Sequence, residues 1–163
     1  MVRSLRQGTR AHAIRLVRMC YDHLGGRLGV ELMGAMIEQD ILAGGDGAFH
    51  PDQVRDDHLS APGRDVDYEL TDPGAGLLCD FGIDLDALTV LRRPFIRYCL
   101  DWSEQRHHLA GALGASLAKN LFDLGWIRRA ERSHAVHITD AGICGLKTTF
   151  GIELEGASSD HAV

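Results

Sequence analysis

Two pairs of cysteine and histidine residues carry the side chains best suited to chemistry in this chain. Cys20 is followed by His23, and Cys99 is followed by His108. Thiolate and imidazole groups are good ligands for zinc, copper(I) and haem iron, so each of these is a candidate cofactor. One hypothesis is a metal site formed by all four residues. The alternative is structural: unpaired cysteines are commonly buried like small apolar side chains, and the histidines would satisfy backbone groups.

The residues around these pairs extend the hypothesis to a small-ligand site. Each cysteine lies in an Arg-x-Cys-x-Asp motif, in which the arginine could hold an anionic group and the aspartate could cap a helix. A polar and aromatic segment before the second histidine has no counterpart before the first. The predicted ligand-binding residues are Arg18, Cys20, Asp22, His23, Arg97, Cys99, Asp101, Trp102, His107 and His108.

These motifs belong to an internal repeat. The motif H-L-x-G-x-L-G starts at His23 and again at His108, after a gap of none or six residues from Arg-x-Cys-x-Asp. Thr-Asp-x-Gly and Phe-Gly-Ile then recur in the same order in both halves. Several blocks that recur in one order predict two copies of a single structural unit. If the two units pack together, the cysteines and histidines approach one another.

The hydrophobic pattern predicts the elements of each unit. The spacing of apolar residues indicates a longer amphipathic helix in each unit, over 30–42 and 115–127, and two short helices precede each of them. Alternation of apolar and polar residues in 135–139 indicates a strand of a β-hairpin. We therefore predict a mainly α fold with small β-hairpin wings: two tandem winged-helix-like units related by pseudo-twofold symmetry. The units are predicted at 12–84, with a long and flexible wing insertion at 43–66, and at 91–152, followed by a flexible tail at 153–163.

Two segments resemble the C-terminal half of a subgroup of bacterial ArsR-type winged-helix transcriptional regulators. They read C-Y-D-H-L-G-G-R-L-G at 20–29 and C-L-D-W-S-E-Q-R-H-H-L-A-G-A-L-G at 99–114. The resemblance implies transcription regulation and DNA binding, with a metal or small-molecule effector. In those regulators an ArsR-type winged helix precedes this region, whereas this chain starts at the linker that would follow it. We therefore expect the N-terminal ArsR domain to be absent.

The second unit is the better candidate for contact with DNA. The long helix of the first unit carries carboxylates and, over 30–42, no lysine or arginine, so phosphates would repel it. The second unit offers polar and basic side chains on its helix and wing, which suit phosphate and base contacts. They are Ser116, Lys119, Asn120, Arg128, Arg129 and Arg132. The alternative interpretation is a solvated charged wing.

Composition limits the function further. Of the 163 residues, 45% are hydrophobic and 25% are charged, which excludes a wholly disordered chain. The net charge of −6 argues against a protein that wraps nucleic acid. A sequence with no long apolar run, no secretory signal and no CxxC pair predicts a cytoplasmic protein with reduced thiols and no membrane partner.

We therefore predict a regulatory or sensory protein that binds a small ligand or metal between its two units, with a homodimer as a further expectation. A small enzyme with its site at the unit interface is the alternative, because a cysteine beside a histidine can become a nucleophile. No set of nucleophile, base and orienting group is evident, so catalytic residues are unassigned.

Overall fold

The computed structural model describes residues 12–131 and 135–154. The chain starts with helical residues 12–16, labelled α1. The later elements, in chain order, are β1 (Arg18–Cys20), β2 (His23–Gly25), α2 (Gly26–Glu38), β3 (Leu42–Ala43), β4 (Glu69–Leu70), α3 (Asp72–Phe81), α4 (Leu85–Thr89), β5 (Arg97–Leu100), β6 (His107–Ala110), α5 (Gly111–Asp123), β7 (Ile127–Arg129), β8 (Val136–Ile138) and α6 (Asp140–Phe150). None of the helices in the described ranges is long and apolar enough to cross a bilayer.

The prediction of a mainly α fold built from winged-helix-like units is wrong. Of the residues that the structure describes, 41% are in helices and 20% in strands, and these strands form four separate two-stranded antiparallel hairpins. The segments predicted as short helices at the start of each unit are the hairpins β1–β2 and β5–β6. Over three or four residues a hydrophobic pattern cannot separate a helix from a strand. The long helices α2 and α5 begin and end four residues earlier than predicted.

The internal repeat nevertheless corresponds to a repeated order of elements. Each half contains a hairpin, a long helix, a second hairpin and a further helix, and α4 joins the halves. The Thr-Asp-x-Gly blocks start α3 and α6, where Thr71 accepts a hydrogen bond from the N–H of Gly74 and Thr139 accepts one from Gly142. The threonine side chain thus satisfies a free first-turn donor in both halves, as an N-cap does.

One glycine in each H-L-x-G-x-L-G motif turns the chain from hairpin to helix. Gly26 has φ 72° and Gly111 has φ 75°, in the left-handed region that favours glycine. A Cβ atom at Gly26 would lie 2.7 Å from the carbonyl oxygen of Arg15, and one at Gly111 would lie 2.9 Å from that of Phe95. A larger residue is therefore excluded both by backbone conformation and by space.

The two halves share one hydrophobic core. Helix α2 packs on β6, and α5 packs on β2, so each long helix covers the hairpin of the other half. Gly29 and Gly114 permit this approach, since added Cβ atoms would lie 3.3 Å from the Cβ of His108 and 3.4 Å from that of His23. The largest fully buried side chains come from both halves, and they include Leu28, Met33, Met36, Leu100, Leu113, Leu121 and Leu146. This reciprocal packing brings β2 and β6 together.

The insertion at 43–66 lies between β3 and β4 and runs back along β5. Leu100 donates a backbone hydrogen bond to Ala61 (3.0 Å), and Gly63 donates one to Tyr98 (2.7 Å). The Tyr98 hydroxyl donates to the buried carboxylate of Asp57 at 2.6 Å. The many Gly, Asp and Pro residues therefore form an irregular segment tied to β5, whereas the sequence predicted a flexible one.

Candidate metal centre and adjoining cavity

Each cysteine of the predicted cluster faces its histidine directly across a hairpin. Cys20 pairs with His23 in the β1–β2 register, and Cys99 pairs with His108 in the β5–β6 register. Directly opposed residues of an antiparallel pair project from the same face, so each hairpin presents one thiol and one imidazole side by side. The proximity of each cysteine to its histidine therefore comes from strand pairing and not from the short helices that the sequence predicted here.

The two hairpins bring all four side chains to one point. The Sγ and ring-nitrogen ligand atoms of Cys20, His23, Cys99 and His108 all lie within 4.8 Å of one another. The Nε2 atoms of the two histidines are 3.2 Å apart, and their rings are tilted by 48°. Both histidines are buried, and both cysteines are half-buried.

A carboxylate holds the outer nitrogen of each imidazole. Nδ1 of His23 lies 3.2 Å from Oδ1 of Asp22, and Nδ1 of His108 lies 3.0 Å from Oδ2 of Asp101. A carboxylate can only accept there, so Nδ1 carries the proton and Nε2 of the neutral ring presents its lone pair to the cluster. Two lone pairs that face each other at 3.2 Å repel unless a cation or a proton lies between them.

Asp101 is the most heavily bonded carboxylate of the site. Its side chain is fully buried, and the Arg18 guanidinium and the Gly26 N–H each donate to Oδ2 at 2.8 Å. Ser103 donates to Oδ1 through both its hydroxyl (2.6 Å) and its N–H (3.0 Å). Burial acts to raise the pKa of Asp101, but the bonds from His108, Ser103 and Gly26 and the charge of Arg18 outweigh it. The pKa of Asp101 therefore lies well below its ordinary value.

Asp22 is more exposed and has fewer partners. Its Oδ2 accepts from Arg93 at 2.5 Å, while Oδ1 faces His23. The side chains of Asp22 and Arg93 are 30% and 39% exposed, so solvent screens this pair. Partial burial acts to raise the pKa of Asp22, and the bonds from Arg93 and His23 lower it below the ordinary value.

The two thiols lie close enough for each to change the pKa of the other, since their Sγ atoms are within 4.8 Å. The contact with Cys99 is the main cause that lowers the pKa of the Cys20 thiol, and bonds from His108 and His23 lower it further. The same contact and burial raise the pKa of the Cys99 thiol. One of the two thiols therefore loses its proton readily. Deprotonation of the second thiol requires an added positive charge nearby. Thiolate is the form of cysteine that binds metals.

A cavity of about 560 Å³ opens beside the cluster. Its lining includes Cys20, Cys99 and both cluster histidines, together with three arginines and Trp102. The insertion contributes one wall through residues 60–62. Arg18 lies over the Trp102 ring, with its guanidinium carbon 4.7 Å from the ring centroid. Eight of the ten predicted ligand-binding residues therefore line the cavity, whereas Asp101 lies directly behind His108 and His107 lies apart.

His107 belongs to a different network. Its Nδ1 lies 2.7 Å from the Tyr68 hydroxyl, and its ring lies 4.3 Å from that of Tyr98. Burial lowers the pKa of His107 and favours the neutral imidazole. The backbone N–H of His107 donates to the Gly47 carbonyl oxygen at 2.8 Å, which links β6 to the insertion. Its ring lies on the face of the strand opposite to His108. The remaining cysteines, Cys79 and Cys144, are exposed on α3 and α6, away from the cluster.

The predicted DNA-contacting side chains of α5 and β7 are partly engaged within the protein. Lys119 pairs with Asp123 at 2.5 Å, and Asn120 donates to the Phe81 carbonyl oxygen at 3.0 Å. Ser116 is half-buried, and Arg129 is exposed and lies over the Phe122 ring. Arg128 is exposed on β7, whereas Arg132 lies outside the described residues. Contact with DNA by this surface stays a prediction.

Arg93 is a site residue that the sequence does not identify, and the sequence indicates Ser103 only as part of the polar and aromatic segment before the second histidine. Arg93 precedes a proline in the connection between the halves, a segment without a repeat partner. Ser103 lies in the six extra residues, 102–107, that break the repeat, and this is the one signal that points to it. Both act on a carboxylate behind a histidine, so only the three-dimensional arrangement reveals their role.

Comparisons with known proteins give one informative similarity. No family model matches the chain, and no solved structure matches it. The chain is 34% identical over 141 residues, or 86% of its length, to the uncharacterized HTH-type transcriptional regulator YdfF of Bacillus subtilis (strain 168). The matched region covers 54% of that regulator, so the chain spans about half the length of the curated relative that it matches.

Proposed function

We propose that this chain is the effector-binding part of a transcriptional regulator, and that it binds one zinc ion through Cys20, His23, Cys99 and His108. The observation that carries the proposal is the convergence of these four side chains, with both Nδ1 atoms held by carboxylates and both Nε2 atoms turned inward. A carboxylate behind each imidazole is the usual support for a metal-binding histidine.

The spacing of the ligand atoms fits a tetrahedral ion. Two nitrogens at roughly 2.0–2.1 Å from zinc stand about 3.3 Å apart at a tetrahedral angle. The Nε2 atoms of His23 and His108 are 3.2 Å apart, so the histidines already have this spacing. Two thiolates at about 2.3 Å from the ion stand about 3.8 Å apart. The four ligand atoms lie within 4.8 Å of one another, so they need to move only slightly closer together to bind a zinc ion.

The donor set favours zinc over the other candidate cofactors. Two thiolates and two imidazoles in a tetrahedral arrangement are typical of zinc, and copper(I) shares the preference for sulfur. Haem iron takes one or two axial side chains, and its macrocycle would occupy the space in which the four side chains meet. The convergence of all four ligand atoms on one point thus supports a single small ion.

A bound ion would tie the two halves of the chain together. Two ligands come from β1–β2 and two from β5–β6, so ion binding favours the arrangement in which these hairpins are adjacent. The similarity to an HTH-type regulator supports a role in transcription, with DNA as partner of the regulator. The motifs at 20–29 and 99–114 support the ArsR type, and a reducing cytoplasm would keep the thiols available.

Metal analysis of the purified chain tests the site. After dialysis against a weak chelator we expect about one equivalent of zinc per chain, because four protein ligands give a closed, high-affinity site. Cys20→Ser and Cys99→Ser should each lose the ion. Cys79→Ser and Cys144→Ser are matched controls, since these cysteines are exposed on α3 and α6, and they should retain it.

Cobalt(II) substitution reports the coordination. The expected spectrum combines intense visible bands of a tetrahedral ion with near-ultraviolet thiolate charge-transfer bands, and His108→Ala should change the visible bands. Equal metal content in all four cysteine variants, or octahedral cobalt spectra, would contradict the zinc site.

Transcript measurements test the regulatory part independently. In cells that lack the gene, reintroducing the wild-type gene should restore the levels of a defined set of transcripts. A Cys99→Ser gene should fail to do so, whereas Cys144→Ser should succeed. If the wild-type gene changes no transcript relative to the deletion, the regulatory role is wrong, even where the zinc content is as expected.

A further inference from the structure

We infer that the cavity beside the Cys/His cluster binds a small monocarboxylate with an apolar body, anchored by Arg97. This inference concerns the effector class of the regulator and rests on the proposed function for its biological meaning. Its physical basis is separate, because it depends on the size, the walls and the charge of the cavity rather than on the bound ion.

The cavity has the dimensions and the walls of a small-molecule site. Its volume of about 560 Å³ lies within the range of roughly 300–1,000 Å³ found for ligand pockets. Apolar groups predominate in its lining, which includes Met19, Pro62, Pro94, Leu100, Trp102 and Ala110. An inorganic anion would leave most of these walls without a partner, whereas an alkyl or aryl group covers them.

The charges around the cavity leave one positive charge without compensation. Arg18 is paired with Asp101, and Arg93 is paired with Asp22. The cluster itself is neutral with two thiolates and a divalent ion, and also as one thiolate with one protonated imidazole. Within the described residues Arg97 forms no ion pair and no side-chain hydrogen bond. The remaining charge of +1 matches a monoanion.

Arg97 is placed to hold a carboxylate at the cavity wall. Arg97 is the first residue of strand β5 and pairs with Ala110 of β6, and its side chain is exposed. A guanidinium presents two parallel N–H donors that match the two oxygens of a carboxylate. Trp102 is 45% exposed at the same cavity, and its ring offers a flat apolar surface to the body of the ligand.

A ligand in this position would cover the sulfur side of the cluster. Cys20 and Cys99 are half-buried and line the cavity, whereas His23 and His108 are buried behind them. A chelator must approach a bound ion from the cavity, so an occupied cavity should slow removal of zinc. The rate at which a chelator removes zinc therefore reports whether the cavity is occupied.

Calorimetric titration of the whole chain tests the inference. The probes are octanoate and 4-phenylbutyrate, each compared with its neutral amide, which has nearly the same shape but no charge. We expect at least one carboxylate to bind about tenfold or more tightly than its amide, since a hydrogen bond to a charged group is stronger than one to a neutral group. Arg97→Gln should abolish this preference and leave amide binding unchanged. Arg92→Gln, at an exposed arginine outside the cavity lining, should retain it.

Repeating the titration with metal-free protein separates this inference from the zinc site. A preference for carboxylate that depends on Arg97 in both forms supports the inference, whether or not the chain is isolated with zinc. Zinc-loaded protein that binds neither carboxylate better than its amide would overturn the inference and leave the zinc site intact. Equal carboxylate affinity in the wild type and in Arg97→Gln would overturn it as well.

Discussion

Hairpins β1–β2 and β5–β6 present the same pair of side chains to the cluster but support them very differently. In β1–β2 a two-residue loop, Tyr21 and Asp22, joins the strands, and its carboxylate is 30% exposed. In β5–β6 the loop comprises residues 101–106, and Asp101 is fully buried with donors from Arg18, Gly26, Ser103 and Glu104.

This difference shows that one feature of a hairpin places the ligand side chains and another feature supports them. The cross-strand register alone places a thiol next to an imidazole, so it works with a short or a long loop. The longer loop adds a serine and two backbone N–H donors that fix one carboxylate. One histidine is therefore held by a preorganised partner and the other by a partner that solvent can reach. Substitutions at matched positions of the two hairpins test this contrast.

Asp101→Asn should have the largest effect of any single substitution at the two hairpins. It leaves the buried Arg18 guanidinium without its counter-charge. It also replaces one acceptor oxygen by an NH2 group, which cannot accept from the donors of Oδ1 or from those of Oδ2. Breaking a buried pair from one side costs about 3–5 kcal/mol. We expect a loss of that order in the unfolding free energy of metal-free protein, measured by urea denaturation. The double variant Arg18→Met with Asp101→Asn should recover part of it. A loss below about 1 kcal/mol would contradict the structural role given to Asp101.

The sequence predicted the members of the cluster better than it predicted the fold. The repeat aligned Cys20 with Cys99 and His23 with His108, and the structure brings these four together. The repeat works as a signal because both copies keep the same residues at corresponding positions, whatever secondary structure they adopt. The hydrophobic pattern, by contrast, favoured helices where β1, β2, β5 and β6 lie.

The parts that could not be predicted depend on contacts between distant segments. Short hairpins are stabilised by the helices that cover them, and in this chain α2 covers β6 and α5 covers β2. A pattern of three residues does not show which distant helix will cover a strand. The same holds for Arg93 and for the insertion, whose residues 60–63 pair with β5. His107 is among the ligand-binding residues predicted from the sequence, but it is next to His108 on β6, and neighbours along a strand point to opposite faces.

Gly25→Ala should have the next largest effect. Gly25 corresponds to Ala110 in the second hairpin, but a Cβ at Gly25 would lie 3.3 Å from both Oδ2 of Asp101 and Cε1 of His108. Its φ of −113° suits any residue, so crowding is the expected cause of any loss. We expect a loss of about 1–3 kcal/mol in the unfolding free energy. Zinc affinity, measured by competition with a chelator, should fall because His108 must shift. Ala110→Gly is the reverse substitution and should leave zinc affinity unchanged.

Asp22→Asn should affect the metal more than the fold. Asp22 is partly exposed and its pair with Arg93 is screened, so the unfolding free energy of metal-free protein should fall by less than about 1 kcal/mol. Loss of the carboxylate behind His23 should lower zinc affinity by about tenfold, at the lower end of what such partners contribute. Arg93→Gln, which keeps the carboxylate, should lower it less. Equal losses of stability in Asp22→Asn and Asp101→Asn would contradict the contrast between the hairpins.

Tyr21→Asn should produce the smallest change, and it should be a gain. Tyr21 has φ 61° and is 93% exposed, so the backbone conformation is unfavourable for its side chain and little packing is lost on substitution. Asparagine adopts the left-handed region more readily, and we expect a gain of about 0.5 kcal/mol by urea denaturation. Gln105→Asn, at φ 51° in the longer loop, is the matched variant. The longer loop has more freedom to relax, so its gain should be smaller. A larger gain at Gln105 would show that the two-residue loop is the less strained connection.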